Sequence, residues 1–137
     1  MAAILIVDDD PTVRAIAAEL LRADDHALIE AEDGKLALQV IAAVPIDLMV
    51  LDLLMPNVDG LEDIRSVRQS HSHIRILAIS SGGRSGAQNY LDAARVFGAD
   101  DTLMKPLRLA TFAEKVNRLL LHSFRQSGSD SPNLAWR

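Results

Sequence analysis

Hydrophobic runs alternate with amphipathic stretches along the chain, and this alternation predicts successive strand and helix units around a parallel sheet. The first run, at residues 4–7, is short, continuous and rich in β-branched residues, as expected of a central strand that is buried on both faces. Four later runs predict strands at residues 27–29, 47–51, 74–79 and 102–104. The pattern therefore predicts an α/β protein with five strands.

Amphipathic stretches follow the strands and predict five helices. Asp10 before Pro11 is typical of an N-cap followed by proline at the first helical position, and Asp33 is the expected cap of the second helix. The third helix is expected to begin at Asp59 and Gly60. The fourth is expected to span residues 87–97 and to stop at Gly98, and the fifth to span residues 109–122.

Composition and charge narrow the possible classes. The 137 residues suffice for one domain with a core. The net charge of −5 argues against binding nucleic acid or anionic lipid through charge alone. Cysteine is absent, which excludes disulfides and Cys-ligated zinc. The first apolar run has no basic region before it and leads into three aspartates, so we expect neither a signal peptide nor a membrane span, and a cytoplasmic protein.

The last part of the chain has a different character. Residues 123–137 have no hydrophobic periodicity and are rich in Ser, Gly, Asp, Pro and Asn. We therefore expect one domain at residues 1–122 and a disordered tail at residues 123–137. The alternative is that the tail is a docking peptide anchored by Leu134 and Trp136.

Polar residues follow four of the predicted strands. Asp8 and Asp9 follow the first strand, Asp52 the third, Ser80 the fourth and Lys105 the fifth. In an open doubly wound sheet, ligands bind beyond the carboxyl ends of the strands, so we expect these side chains to converge. Three carboxylates repel one another unless a cation neutralises them, and oxygen ligands suit Mg²⁺. The pattern therefore predicts a magnesium site.

Such a site can support phosphoryl transfer. One carboxylate can attack phosphorus while Lys105 and Mg²⁺ stabilise the phosphoryl oxygens and Ser80 donates a hydrogen bond, which predicts an aspartyl phosphate. Each residue alone also has an ordinary structural interpretation, as a helix cap, a turn residue, a loop hydroxyl or a solvated lysine. Only one acid of the run at residues 8–10 can cap the helix, however, and the functional interpretation explains the whole set.

Four segments carry a family resemblance: residues 4–11 (Ile-Leu-Ile-Val-Asp-Asp-Asp-Pro), residues 47–60 (Asp-Leu-Met-Val-Leu-Asp-Leu-Leu-Met-Pro-Asn-Val-Asp-Gly), Ser80-Ser81, and Lys105-Pro106. Together they resemble the receiver domain of two-component response regulators. The resemblance implies a flavodoxin-like, doubly wound sheet of five parallel strands in the order 2-1-3-4-5 with five helices. It also implies phosphoryl transfer from a phosphohistidine on a histidine kinase or histidine phosphotransfer protein.

The resemblance assigns a role to each chemical position. By its place in the pattern, Asp52 is the phosphoacceptor. The other implied roles are Mg²⁺ binding by Asp8, Asp9, Asp52 and the carbonyl of Leu54, a switch hydroxyl at Ser80, and a phosphate-binding lysine at Lys105.

The resemblance also implies how the signal leaves the domain. We expect phosphorylation to shift the surface formed by the fourth helix, fifth strand and fifth helix, and so to control a downstream protein target without direct contact with nucleic acid. The family often has an aromatic ring three residues before the lysine, where this chain has Thr102. We expect a signalling protein whose own chemistry is limited to self-phosphorylation from small donors and self-dephosphorylation.

A different class explains part of the sequence. Residues 8–12 (Asp-Asp-Asp-Pro-Thr) match the Asp-x-Asp-x-Thr opening of haloacid-dehalogenase-type phosphohydrolases, with Asp8 as nucleophile. Such enzymes need an acidic pair after the lysine, whereas Glu114 is the one acid between Lys105 and the end of the predicted domain at residue 122, and residues 52–60 stay unexplained. A receiver that binds partners without phosphorylation is a third alternative, disfavoured because every chemical position is occupied.

Overall fold

Residues 2–53, 60–81 and 87–129 are described by the computed structural model, and they form five strands and five α-helices. The strands are β1 (Ala3–Val7), β2 (Ala27–Ala31), β3 (Leu48–Asp52), β4 (Arg75–Ser81) and β5 (Asp101–Lys105). The helices are α1 (Pro11–Leu21), α2 (Gly34–Ala43), α3 (Gly60–Ser70), α4 (Ala87–Phe97) and α5 (Leu109–Ser129), with a short 3₁₀ helix at Arg22–Asp24.

The strands form one parallel sheet in the order β2-β1-β3-β4-β5, which confirms the predicted topology. The register places Val7 beside Leu51 on the two central strands. The next residues, Asp8 and Asp52, therefore leave neighbouring strands at the same carboxyl edge. A parallel sheet needs crossover helices, and these bury both of its faces.

The alternation of side chains along β1 divides the core into two layers. Leu5 and Val7 pack in a cluster with residues of α2, α3 and α4, whereas Ile4 and Ile6 pack with residues of α1 and α5. Helices therefore cover both faces of the sheet. Phe112 of α5 is the largest fully buried side chain of the described residues, and it anchors α5 against the second face.

The helix ends agree with four features of the sequence. Asp10 caps α1 by accepting from the amide of Thr12 at 2.9 Å, and Asp33 caps α2 by accepting from the amide of Leu36 at 2.8 Å. Gly98 follows α4 with φ +127°, a left-handed conformation that favours glycine. Gly60 begins α3 as predicted, whereas Asp59 lies outside the described residues.

The fifth helix is longer than predicted. It continues beyond residue 122 to Ser129, so the first part of the predicted tail is helical. No proline or glycine lies between His122 and Gly128, and Ser, Phe, Arg and Gln each cost less than about 1 kcal/mol in a helix relative to alanine. Residues 130–137 lie outside the described part of the chain, and the domain boundary stays a prediction.

None of the helices within residues 2–53, 60–81 and 87–129 is both long enough and apolar enough to cross a bilayer.

Arg68 of α3 joins the loops at the amino edge of the sheet. Its side chain is 21% exposed and forms an ion pair with Asp100. Asp100 also accepts from the amide of Ile76 at 2.8 Å, which ties the α4–β5 connection to β4. The guanidinium of Arg68 donates further hydrogen bonds to the carbonyls of Gly98, Ser72 and Ile74.

We predict that Arg68→Ala lowers the free energy of unfolding by about 2 kcal/mol, because it removes one of the two arginines paired with the Asp100 carboxylate and leaves several carbonyls without their side-chain donor. Urea denaturation measures this change. The control is Arg118→Ala, which removes an exposed arginine paired with Glu114 and should change stability by less than about 0.5 kcal/mol. Equal changes in the free energy of unfolding would show that the contacts of Arg68 stabilise the fold no more than an exposed ion pair does.

Candidate functional site

The carboxyl edge of the sheet brings the predicted polar residues together. Asp8 directly follows β1, Asp52 ends β3, Ser80 lies near the end of β4 and Lys105 ends β5. Asp8, Asp52 and Ser80 are the buried polar residues of the described chain. Asp9 is exposed beside them. The parallel register thus converts residues that are far apart in sequence into one cluster.

Lys105 lies between two of the carboxylates. Its Nζ donates to Asp8 Oδ2 and to Asp52 Oδ2, each at 3.2 Å. One carboxylate oxygen from each of Asp8, Asp9 and Asp52 lies within 4.8 Å of the other two. Two carboxylates therefore share one ammonium group with a third carboxylate beside them, and the ionised cluster carries an excess of negative charge.

Burial and neighbouring charge alter the pKa values in this cluster. Burial raises the pKa of the Asp8 carboxyl, and the nearby Asp52 adds to this effect, while the amide of Asp10 and the Lys105 ammonium oppose it. For Lys105, burial alone lowers the pKa, but the carboxylates of Asp52 and Asp8 outweigh it and the net direction is upward. Lys105 is therefore held as the ammonium ion.

The donor set fits a hard divalent cation. Three carboxylates converge, and one of them, on Asp9, faces solvent. Mg²⁺ prefers oxygen ligands and usually keeps several waters, so a half-open cluster of carboxylates suits it better than a closed cage. The side chains expected to bind Mg²⁺, namely Asp8, Asp9 and Asp52, are thus together, whereas Leu54 lies outside the described residues.

Ser80 presents an unsatisfied hydroxyl near this edge. It is fully buried, and its Oγ has no hydrogen-bond partner among the residues that the structure describes. Its neighbour Ile79 pairs with Asp52 across β4 and β3, which places Ser80 beside the end of the acidic strand. Leaving a buried hydroxyl unpaired costs about 1–3 kcal/mol, so a group bound at this edge would offset a real cost.

One residue near the site was not predicted from the sequence. Arg14 of α1 donates from Nη1 to the backbone carbonyl of Asp8 at 2.7 Å and from Nε to Glu30 at 3.0 Å. The available signal was weak, because an arginine in the first turns of an amphipathic helix is ordinarily a solvated residue. The hydrogen bond from Arg14 to Glu30 depends on β2, a strand 16 residues away in sequence.

Comparison with known proteins agrees with this geometry. Residues 4–117 match the model of the response regulator receiver domain. A response regulator MprA of Mycobacterium sp. (strain KMS) is 37% identical over 134 residues, which cover 97% of this chain and 56% of that protein. The chain thus spans about half the length of this curated relative.

Two solved structures show the same fold. A putative response regulator from Chloroflexus aurantiacus J-10-fl superposes with a TM-score of 0.80 at 31% identity, covering 88% of this chain and 98% of the other. The response regulator protein TrrA from Thermotoga maritima, solved in complex with Mg(2+)-BeF, has a TM-score of 0.76 at 29% identity, covering 87% and 99%.

The flavodoxin-like sheet and its acidic carboxyl edge define a receiver-type signalling domain, and the family match covers most of the chain. This chain belongs to the response regulator receiver domain family. Membership was expected from the resemblance and is confirmed. The phosphohydrolase alternative has no support in these comparisons.

We predict that Asp8→Asn stabilises the magnesium-free domain at neutral pH by about 1 kcal/mol, because it removes a buried charge from a repulsive cluster. The raised pKa of Asp8 fixes the sign of the pH dependence. The ionised carboxylate is disfavoured in the folded state, so its cost is present at neutral pH and disappears as the pH falls towards the ordinary value of 3.8.

Thermal unfolding at pH 7 and pH 4, with and without MgCl₂, tests this prediction. The same variant should lose most of the stabilisation that Mg²⁺ gives the wild type. Asp33→Asn is the control, since asparagine caps a helix as well as aspartate and α2 lies outside the cluster. A destabilised Asp8→Asn variant at pH 7 would contradict the electrostatic account of the pocket.

Proposed function

We propose that this chain is a phosphoacceptor switch of a two-component phosphorelay, with Asp52 as the residue that is phosphorylated. The observation that carries this proposal is the buried Asp52 carboxylate held 3.2 Å from Lys105 Nζ beside two further carboxylates. Family membership supports the class of donor, a phosphohistidine on a histidine kinase or histidine phosphotransfer protein.

The proposed step is an in-line phosphoryl transfer. A carboxylate oxygen of Asp52 forms a bond to phosphorus as the phosphorus–nitrogen bond of phosphohistidine breaks. The electron pair of that bond returns to the leaving nitrogen, and the second ring nitrogen keeps its proton, so neutral imidazole departs. The product is an acyl phosphate on Asp52.

The surrounding residues have distinct parts in this step. Asp8, Asp9 and Asp52, with the carbonyl of Leu54, are the proposed ligands of Mg²⁺. When bound, this ion supplies positive charge beside the transferred group. The Lys105 ammonium already contacts Asp52 and can move its hydrogen bonds to the phosphoryl oxygens. The Ser80 hydroxyl, which has no partner among the described residues, is the proposed donor to another of these oxygens.

The route to the output surface is also part of the proposal. Arg95 of α4 donates to Asp101 at 2.9 Å and to the hydroxyl of Thr102 at 3.1 Å, and Lys115 of α5 donates to Asp101 at 3.1 Å. These contacts join α4, β5 and α5. Where the family often has an aromatic ring, this chain has the hydroxyl of Thr102, which accepts a hydrogen bond from Arg95 of α4. We therefore propose that these polar contacts transmit the change at Asp52 to the surface that binds a downstream protein.

The acid–base state of Asp101 favours this coupling. Burial alone raises its pKa, but hydrogen bonds from Thr102 and Lys115, together with that from Arg95, outweigh burial and lower it. Asp101 therefore stays ionised and keeps its two cationic partners near neutral pH.

We predict that a small phosphodonor such as acetyl phosphate, with Mg²⁺, adds one phosphoryl group to the wild type at Asp52. Intact-mass measurement followed by peptide mapping detects the product. Asp52→Asn should abolish labelling, because the amide is a poor nucleophile. Slow loss of the label would reflect the proposed self-dephosphorylation.

Asp10→Asn is the matched control, because Asp10 is an exposed helix cap in the same acidic run and asparagine preserves the cap. Its labelling should equal that of the wild type. An unlabelled wild type, or equal labelling of Asp52→Asn, would overturn the proposal, and a label on Asp8 would favour the hydrolase mechanism.

A further inference from the structure

We propose that Arg14 is a positioning residue of the metal pocket, which holds the backbone of Asp8 so that the carboxylates of Asp8 and Asp9 face the cation. This inference rests on the magnesium site of the proposed function and adds a residue that does not itself contact the ion. It assigns the Arg14–Glu30 pair to the binding of Mg²⁺ rather than to the general stability of the fold.

The guanidinium of Arg14 spans two elements. Nη1 donates to the carbonyl of Asp8 at 2.7 Å, and Nε donates to the carboxylate of Glu30 on β2 at 3.0 Å. The Arg14 side chain is 17% exposed, much less than is usual for a surface arginine, while Glu30 is 46% exposed. The planar group thus braces the loop after β1 against the edge strand of the sheet.

Other hydrogen bonds hold the same loop on either side. The Asp8 amide donates to the carbonyl of Ala31 at 3.2 Å, and the amide of Asp10 donates to Asp8 Oδ1 at 2.9 Å. The amide of Arg14 donates to the carbonyl of Asp10 at 3.1 Å. Arg14 adds a side-chain hydrogen bond to the Asp8 carbonyl of the same loop.

Control of this carbonyl determines the direction of Asp9. The Asp8 carbonyl and the Asp9 amide belong to one planar peptide unit that ends at the Asp9 Cα atom. Fixing the carbonyl therefore fixes the position of that Cα atom, from which the Asp9 side chain leaves the backbone. No hydrogen bond to the Asp9 carboxylate occurs among the described residues, although this group lies with Asp8 and Asp52 in the cluster. Its placement therefore depends on the backbone that Arg14 holds.

A simple charge argument predicts the opposite effect of removing Arg14. A positive group near a cation site repels the cation, so loss of the guanidinium would tighten Mg²⁺ binding if charge alone mattered. Glu30 partly cancels that charge. If Arg14 acts by positioning, its loss weakens Mg²⁺ binding, and the sign of the change separates the two accounts.

The test is a titration of the full chain with MgCl₂, without phosphodonor, followed through the amide resonances of residues 8–10. We expect Arg14→Ala to raise the half-saturating Mg²⁺ concentration about tenfold, the lower end of the range for residues that support metal ligands. Arg14→Lys keeps the charge but cannot reach both partners with a planar fork, so it should also raise this concentration.

Two further variants complete the design. Arg22→Ala removes an arginine paired with Glu19 at 3.1 Å, where both side chains are exposed, and should leave Mg²⁺ affinity unchanged. Glu30→Gln keeps an oxygen acceptor for Arg14 and should stay close to the wild type. Thermal unfolding shows which variants are folded. If Arg14→Ala is not folded, Arg14→Lys decides the question.

The outcomes separate this inference from the proposed function. Unchanged or tighter Mg²⁺ binding in the Arg14 variants, or an equal loss in Arg22→Ala, overturns the positioning role even if Asp52 is labelled. Weaker binding in the Arg14 variants alone supports it, even if labelling of Asp52 fails and the proposed function is wrong. A wild type whose resonances do not respond to Mg²⁺ overturns the inference.

Discussion

One lysine shared between two buried carboxylates, with a third carboxylate beside them, is the constraint on which the rest of this structure depends. Lys105 comes from the last strand of the sheet, whereas Asp8 and Asp52 come from the two central strands, so only the parallel register brings them within 3.2 Å. The buried acids are tolerated because the ammonium is present, and their excess charge attracts a cation. The order of the strands in the sheet therefore determines which side chains meet in the site.

The two edges of the sheet differ in how well their polar groups are satisfied. At the amino edge, Arg68 and Asp100 form an ion pair and hydrogen bonds with several backbone groups. These contacts hold the loops at that edge together. At the carboxyl edge, Asp8 has a raised pKa and the hydroxyl of Ser80 has no partner among the described residues. Costs of this kind concentrate at functional sites, and binding of a cation and a phosphoryl group would offset them.

The parts that could be predicted from the sequence are those with local signals. Apolar runs showed the central strands, and the polar residue at the end of each run indicated the site. The edge strand β2 was predicted too short, because the exposed Glu30 interrupts its apolar pattern before the strand ends at Ala31. The extension of α5 to Ser129 differs from the prediction, because the Ser, Gly, Asp, Pro and Asn content that predicts a tail at residues 123–137 is concentrated after residue 126, and no proline or glycine interrupts the helix before Gly128.

Long-range polar pairs could not be predicted. The partners Arg14 and Glu30 are 16 residues apart, and Arg68 and Asp100 are 32 apart, with no motif linking them. An arginine and an acid on different elements meet only when the topology and the side-chain directions are both known. Supporting contacts of this kind thus emerge from the fold, whereas the residues that carry the chemistry follow a recognisable pattern.

The most direct test of the central claim is fluorine NMR with beryllofluoride, which mimics a phosphoryl group bonded to a carboxylate. If Lys105 and a cation together balance the acidic cluster, a bound fluorine signal should appear only when Mg²⁺ is present. It should vanish in Asp52→Asn and weaken strongly in Lys105→Met. A bound signal without Mg²⁺, or one that persists in Asp52→Asn, would contradict the account.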